Sequence, residues 1–247
     1  MLRGFASLGV VVALCLVIPA LSAGVPVVSL AELTATADAI IIGRVEAVRE
    51  LSPSNVEVSG QRFPAREMIG EIAVDKALKG GPFANRVTFH FELPVTPAGG
   101  IGFRGIPNDS YRLVFLVRAG SNYDFASPYY PSFPAVPATQ VRGEAVYDQV
   151  IFQLVSVIRA TQTSREDKLA SLFALKRVNT GVVISGLQDA LKTDDPVLQL
   201  SVAAALLERN DLSGLSVAES ALIHPPPSLP SYVLENLSSA VSRSMTA

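Results

Sequence analysis

Residues 141–158 read VRGEAVYDQVIFQLVSVI, and the spacing of their apolar side chains decides how the chain is divided. Val146, Val150, Ile151, Leu154, Val157 and Ile158 recur every three or four residues, which puts them on one side of an α-helix. Upstream the period is two. In residues 86–94, RVTFHFELP, the side chains of Val87, Phe89, Phe91 and Leu93 point inward from a strand, while Thr88, His90 and Glu92 point outward. Burial of the β type therefore hands over to helical burial near Gly143. The sequence predicts an α+β chain in two domains, with a strand-rich part over residues 24–142 and a helical part over residues 143–247.

Working back from the handover, three more runs read as strands. AIIIGRVEAVRE (39–50) carries Ile40, Ile41 and Ile42 in succession, so that end is expected to be buried on both faces. IGEIAVDKALKG (69–80) sets Ile72, Val74 and Leu78 on one side against Glu71 and Asp75 on the other. YRLVFLVR (111–118) is apolar in its middle, as a central strand is. Four to six such strands, with no helix long enough among them to cover the sheet, predict a small antiparallel barrel.

Working forward, the first helix is expected to end near Thr161. Leu169, Leu172 and Phe173 mark a second, with Ser164 as its N-cap, and Val183, Leu187 and Leu191 mark a third. Asp194 and Asp195 precede Pro196, a residue tolerated at a first helical position because the amide hydrogen it lacks has no partner there. Val197, Leu200, Ala204 and Leu207 form the buried side of that fourth helix. Segments near 213–223 and 231–242 complete three helix pairs, and Ala203, Ala204 and Ala205 allow close helix approach.

The chain begins MLRGFASLGVVVALCLVIPALSAG: one basic residue, an apolar run, Pro19, then small residues through Ala23. This pattern predicts a secretory signal over residues 1–23 and export to the periplasm or beyond the cell, with retention as a membrane anchor the alternative. The single cysteine, Cys15, lies inside it, so the mature chain would carry no disulfide. Net charge is −2 over the whole chain, and without Arg3 the balance is 19 basic against 22 acidic residues; nothing there attracts nucleic acid.

Two resemblances follow from these residues. LKTDDPVLQLSVAAALLERNDLSGLSVAESAL (191–222) resembles a HEAT-type repeat, with its Asp-Asp-Pro-Val entry, alanine–leucine packing face and polar turn at Asn210–Asp211. The likeness covers about residues 165–243 and implies a stacked helical array whose surface binds partners. ADAIIIGRVEAV (37–48), VDKALKGG (74–81) and YRLVFLVR (111–118) are similar to the OB-like barrel of netrin modules and tissue inhibitors of metalloproteinases, and to a group of exported bacterial proteins of uncharacterised role. That likeness covers roughly residues 29–141. The inhibitors seat a disulfide-tethered N-terminal cysteine on the protease metal, and a mature chain without cysteine cannot do so.

No catalytic constellation is expected from these residues. There are two histidines, His90 on the polar side of a strand and His224 just before Pro225, so no metal-ligand set or Ser-His-acid arrangement is expected. GGIGFRG (99–105) has the spacing of a dinucleotide loop, but Ile106, Pro107, Asn108 and Asp109 follow where a helix would have to begin. No cofactor is expected. The Pro-rich stretch SNYDFASPYYPSFPAVP (121–137) concentrates Tyr123, Phe125, Tyr129, Tyr130 and Phe133, either as a contact patch or as a staple between the two halves. The expected function is an exported, non-catalytic module binding a protein partner; the alternative is an enzyme or enzyme inhibitor acting through the barrel loops.

Overall fold

The computed structural model describes residues 28–58, 61–95, 105–127, 132–137, 141–226 and 229–244. Residues 1–23, expected as a signal, Tyr129, Tyr130 and nearly all of the glycine-rich loop lie outside these residues. A short helix α1 (Leu30–Thr36) comes first, announced by Ser29-x-x-Glu32: the Ser29 hydroxyl accepts from the Glu32 amide, the pattern of a capped helix start. Six strands follow: β1 (Ala39–Val58), β2 (Gln61–Lys79), β3 (Arg86–Pro94), β4 (Ser110–Ala119), β5 (Asn122–Phe125) and β6 (Ser132–Pro134). All four runs picked from the sequence are strands.

Hydrogen-bonded neighbours run β1–β2–β3–β5–β4, and β4 also pairs with β1. The ladders are antiparallel apart from a parallel contact between His90 of β3 and Asp124 of β5. Strand β6 shares one edge of β4 with β5, at Arg112–Val114. Beyond Val45, β1 leaves β4 and pairs with β2 alone among the described residues, as far as Val58. Gly43 permits the close β1–β2 approach, since a Cβ there would lie 2.0 Å from the Ala73 carbonyl oxygen.

The sheet buries both faces. One holds Ile41, Val45, Ile72, Phe89, Val114 and Leu116; the other holds Ile40, Ile42, Leu113 and Phe115. The three consecutive isoleucines are each fully buried, split between the two sides as their run implies. Leu78 corrects the expected pattern. It packs on the Ile40 side rather than with Ile72 and Val74, because Asp75 and Leu78 have no partner in the β1 register. Each is an extra residue in the ladder, and such a bulge breaks strict alternation.

Six helices follow among the described residues: α2 (Val146–Arg159), α3 (Arg165–Ala174), α4 (Gly181–Ala190), α5 (Pro196–Leu207), α6 (Leu215–Ile223) and α7 (Ser231–Ser244). Ser164 caps α3 through the Asp167 amide, and Asp195 caps α5 through the amides of Val197 and Leu198, with Pro196 just inside. Contacts run α2 to α4 in one layer and α3 to α5 to α7 in another. Helix α5 buries apolar residues on two sides. Its Leu200, Ala203, Ala204 and Leu207 pack with α6 and α7, whereas Leu198, Val202, Ala205 and Leu206 belong to a cluster reaching α2, α3 and α4.

That second cluster continues into the sheet. Val150, Ile151, Leu154 and Ile158 of α2 share it with Ile40, Ile42, Leu113, Phe115 and Phe133. The period changes where the sequence says it does, yet one hydrophobic core runs across the change. Polar groups seal the same junction. Arg112 of β4 reaches Asp167 of α3 at 3.5 Å and donates to Ser110 Oγ at 3.0 Å. Burial pushes the Arg112 guanidinium below its ordinary pKa, and the Asp167 charge opposes that. At the other end of α3, Arg209 donates to the carbonyls of Val178, Ala205 and Leu175, tying the ends of α3 and α5 together.

Candidate functional site

The aromatic residues singled out in the Pro-rich stretch do not form one patch. Tyr123 and Phe125 lie on β5, whose register along β4 turns them towards the Phe89 side of the sheet. Phe125 packs at 5.0 Å from Phe89 and 5.1 Å from Phe91, ring centre to ring centre, and Tyr123 meets Phe83 edge-on at 6.1 Å. Arg118 lies over the Tyr123 ring, 5.9 Å from its centre. Phe133, on β6, faces the other way. It meets Phe115 edge-on at 5.8 Å and is buried with the helices. Of the five, two fill the aromatic side of the sheet and one joins sheet to helix, while Tyr129 and Tyr130 lie outside the described residues.

The histidines lie on different elements and are differently placed. His90 is half-buried on β3, with Nδ1 3.8 Å from a Glu67 carboxylate oxygen. His224 follows α6, and its backbone amide closes the helix on the Ser220 carbonyl. Among the described residues no group of three or more His, Cys, Asp or Glu side chains is placed to hold a metal ion. None of the described helices is long and apolar enough to cross a membrane.

A different surface gathers apolar and charged groups. Helices α3, α5 and α7 lie side by side, and a groove of about 170 Å³ opens between them. Ala204 and Ala205 form its floor, where small side chains on α5 leave room between the flanking helices. Leu169 and Phe173 line the α3 side, and Val233 and Asn236 the α7 side. At one end Glu208 takes Arg243 at 2.8 Å and Lys176 at 3.9 Å. Phe173 is 56% exposed, and Tyr232, beside Val233, is 53% exposed. Sequence reasoning had Phe173 only as a helix marker. The available signal was its place directly after Leu172, which takes the inward position, so that Phe173 is turned towards solvent.

No family model, curated protein or solved structure matches this chain.

Proposed function

We propose that this chain is an exported, non-catalytic binding module whose helical half offers the groove between α3, α5 and α7 to a protein partner. The observation that carries this is the groove itself, with Phe173 exposed along its α3 side, Tyr232 exposed at the α7 position next to the lining Val233, and charged groups at its end. Exposed aromatics beside charged groups are enriched on protein-binding surfaces. In this reading the ring of strand pairings is an OB-like barrel, the two helical layers are HEAT-like, and the barrel serves as a platform for the array. Residues 1–23 act as the export signal.

Affinity capture from the native envelope fraction tests the groove when the wild-type chain is compared with Phe173→Asp and Tyr232→Asp. Both side chains are more than half exposed, so the variants keep the wild-type circular dichroism and melting behaviour. A partner retained by the wild type and lost at least about ten-fold in each variant supports the proposal. Equal capture by all three removes it. N-terminal sequencing of the envelope protein checks export, with a first residue after Ala23 expected and Met1 arguing against cleavage.

A further inference from the structure

Ion pairs at their ends show that α3, α5 and α7 run in the same direction. Arg165 at the start of α3 meets Asp195 at the start of α5, while Lys176, just past α3, and Arg243, near the end of α7, both meet Glu208 at the end of α5. The groove over Ala204 and Ala205 therefore has two chemically different ends. At the helix starts Glu166, Asp194 and Asp195 stand with Arg165 and Lys168, and Asp167 is taken by Arg112 of the sheet. At the helix ends the balance is basic. Lys176, Arg177 and Arg243 are exposed there, whereas the Glu208 side chain they surround is only 21% exposed. The outward charge at that end is thus positive.

The walls say what shape of chain fits. Every wall of the groove is a helix, whose main-chain groups are already bonded along its own axis. An extended segment lying there would find no backbone partners for its own amides and carbonyls, but a helix brings its hydrogen bonds with it. The small side chains of Ala204 and Ala205 let a helix approach closely, and Leu169, Phe173 and Val233 offer apolar contact on both sides. Helix α5 has 12 residues, so the groove is about 18 Å long, room for about three turns. Direction follows from charge. The carbonyl ends of three helices and the cations beside them favour a helix N-terminus carrying carboxylates.

We propose that the occupant of this groove is one amphipathic α-helix of a partner protein, lying antiparallel to α3, α5 and α7, with an acidic first turn seated by Lys176 and Arg243. This rests on the groove being a partner site and states what the partner presents: apolar side chains at i, i+3 or i+4, and i+7, behind two or more Asp or Glu residues.

The test is selection of a phage-displayed library of random peptides, about 16 residues long, on the mature chain. Enriched peptides are then titrated by fluorescence anisotropy into the wild type, Phe173→Asp and Lys176→Glu. Enriched sequences are expected to share the apolar spacing and the acidic start, and to gain helical circular dichroism on binding. Phe173→Asp weakens them at least about ten-fold. Lys176→Glu weakens them at least about three-fold, and a peptide whose first-turn acids are exchanged for Lys regains the loss on that variant. The proposal is overturned if nothing is enriched, if enriched peptides lack helical spacing or begin with basic residues, if Lys176→Glu binds them as the wild type does, or if sedimentation shows the groove filled by a second copy of this chain. Should envelope capture still depend on Phe173 in any of those cases, the groove remains a partner site and only the helix is lost. Capture indifferent to Phe173 removes the underlying reading itself.

Discussion

Helices α2 to α5 and the hairpin of α6 and α7 use the same kind of apolar residue for different ends. The first group closes over one face of the sheet, sharing a core with Ile40, Ile42, Leu113 and Phe115. The second group packs chiefly on the far side of α5, through Ala218, Ala221, Val233 and Leu237. The difference teaches that a change of secondary structure is not a border between folding units. The unit is set by where the buried surface ends, and here that surface crosses Gly143 and stops in the middle of α5.

The largest effect expected from this contrast is on truncation. A chain ending at residue 142 uncovers Ile40, Ile42, Leu113 and Phe115, each of which contributes about 1.5–3 kcal/mol by burial. Their loss together is comparable to the whole stability of a domain, about 5–15 kcal/mol. This fragment should aggregate or lack a cooperative melt, whereas a chain ending at Asn210 should remain soluble with a lowered melting temperature. A soluble 24–142 fragment that melts cooperatively would break the comparison.

Point substitutions sharpen it. Phe115→Ala should cost about 3–5 kcal/mol in denaturant unfolding, and hydrogen exchange should quicken in β1, β4 and α2 together. Leu237→Ala removes a side chain just as buried, and costs about 2–5 kcal/mol. Its faster exchange should be confined to α5, α6 and α7. Equal spreading of both effects through the molecule would mean that the two cores act as one.

Within the sheet-side core, the contact of α2 with α4 depends on Gly186, where a Cβ would lie 2.4 Å from Val155 Cγ1. Gly186→Ala should therefore destabilise by about 1–3 kcal/mol, and adding Val155→Ala should recover part of that loss. Additive losses in the pair would show that the two residues do not share the space.

The smallest effect separates the helix entrances by pH. Burial pushes the Asp195 carboxyl up, but hydrogen bonds from Arg165 and from the Leu198 and Val197 amides outweigh it and leave the pKa below its ordinary 3.8. Asp211 caps the 3-10 turn Leu212–Gly214 just before α6 by accepting from the Ser213 amide, and it is also held below 3.8, chiefly by its hydrogen bond from the Ser213 side chain. Both groups bind a proton less readily folded than unfolded. The stability they add is complete above the unfolded value and disappears as pH falls through the lower folded one. Asp211→Ala should cost about 1 kcal/mol at neutral pH, the usual loss of a cap, and nearly nothing at strongly acid pH. Chemical unfolding across that range checks it, and a pH-independent loss would assign the effect to packing.

Much of this fold can be read from the sequence where the apolar spacing is long and regular. The four strand runs, the caps at Ser164 and Asp195, and the first helix through Ile158 are of that kind. Leu78 was misplaced because counting by twos assumes an uninterrupted ladder, and a bulge depends on both strands. For α5 the expected buried side was the one against α6 and α7; the opposite side is buried as well, which no single-helix pattern can reveal. Helix α1 was overlooked among β-like punctuation although Ser29 and Glu32 have capping spacing. The aromatic stretch reads as either a patch or a staple because its members are close in sequence, and that closeness does not carry the face on which each lands. Its strands β5 and β6 turn Phe125 and Phe133 to opposite faces.

The outer length of β1 has one further consequence. Past Val45 its border away from β2 carries no neighbouring strand among the described residues, and an open strand border is a template on which another molecule can lengthen the sheet. Pro53 brings no amide hydrogen to that stretch, and Arg49, Glu50 and Glu57 set charge along it. A proline and charges on an open strand border oppose edge-to-edge pairing between copies, so this stretch can be left unpaired on one side without inviting sheet growth.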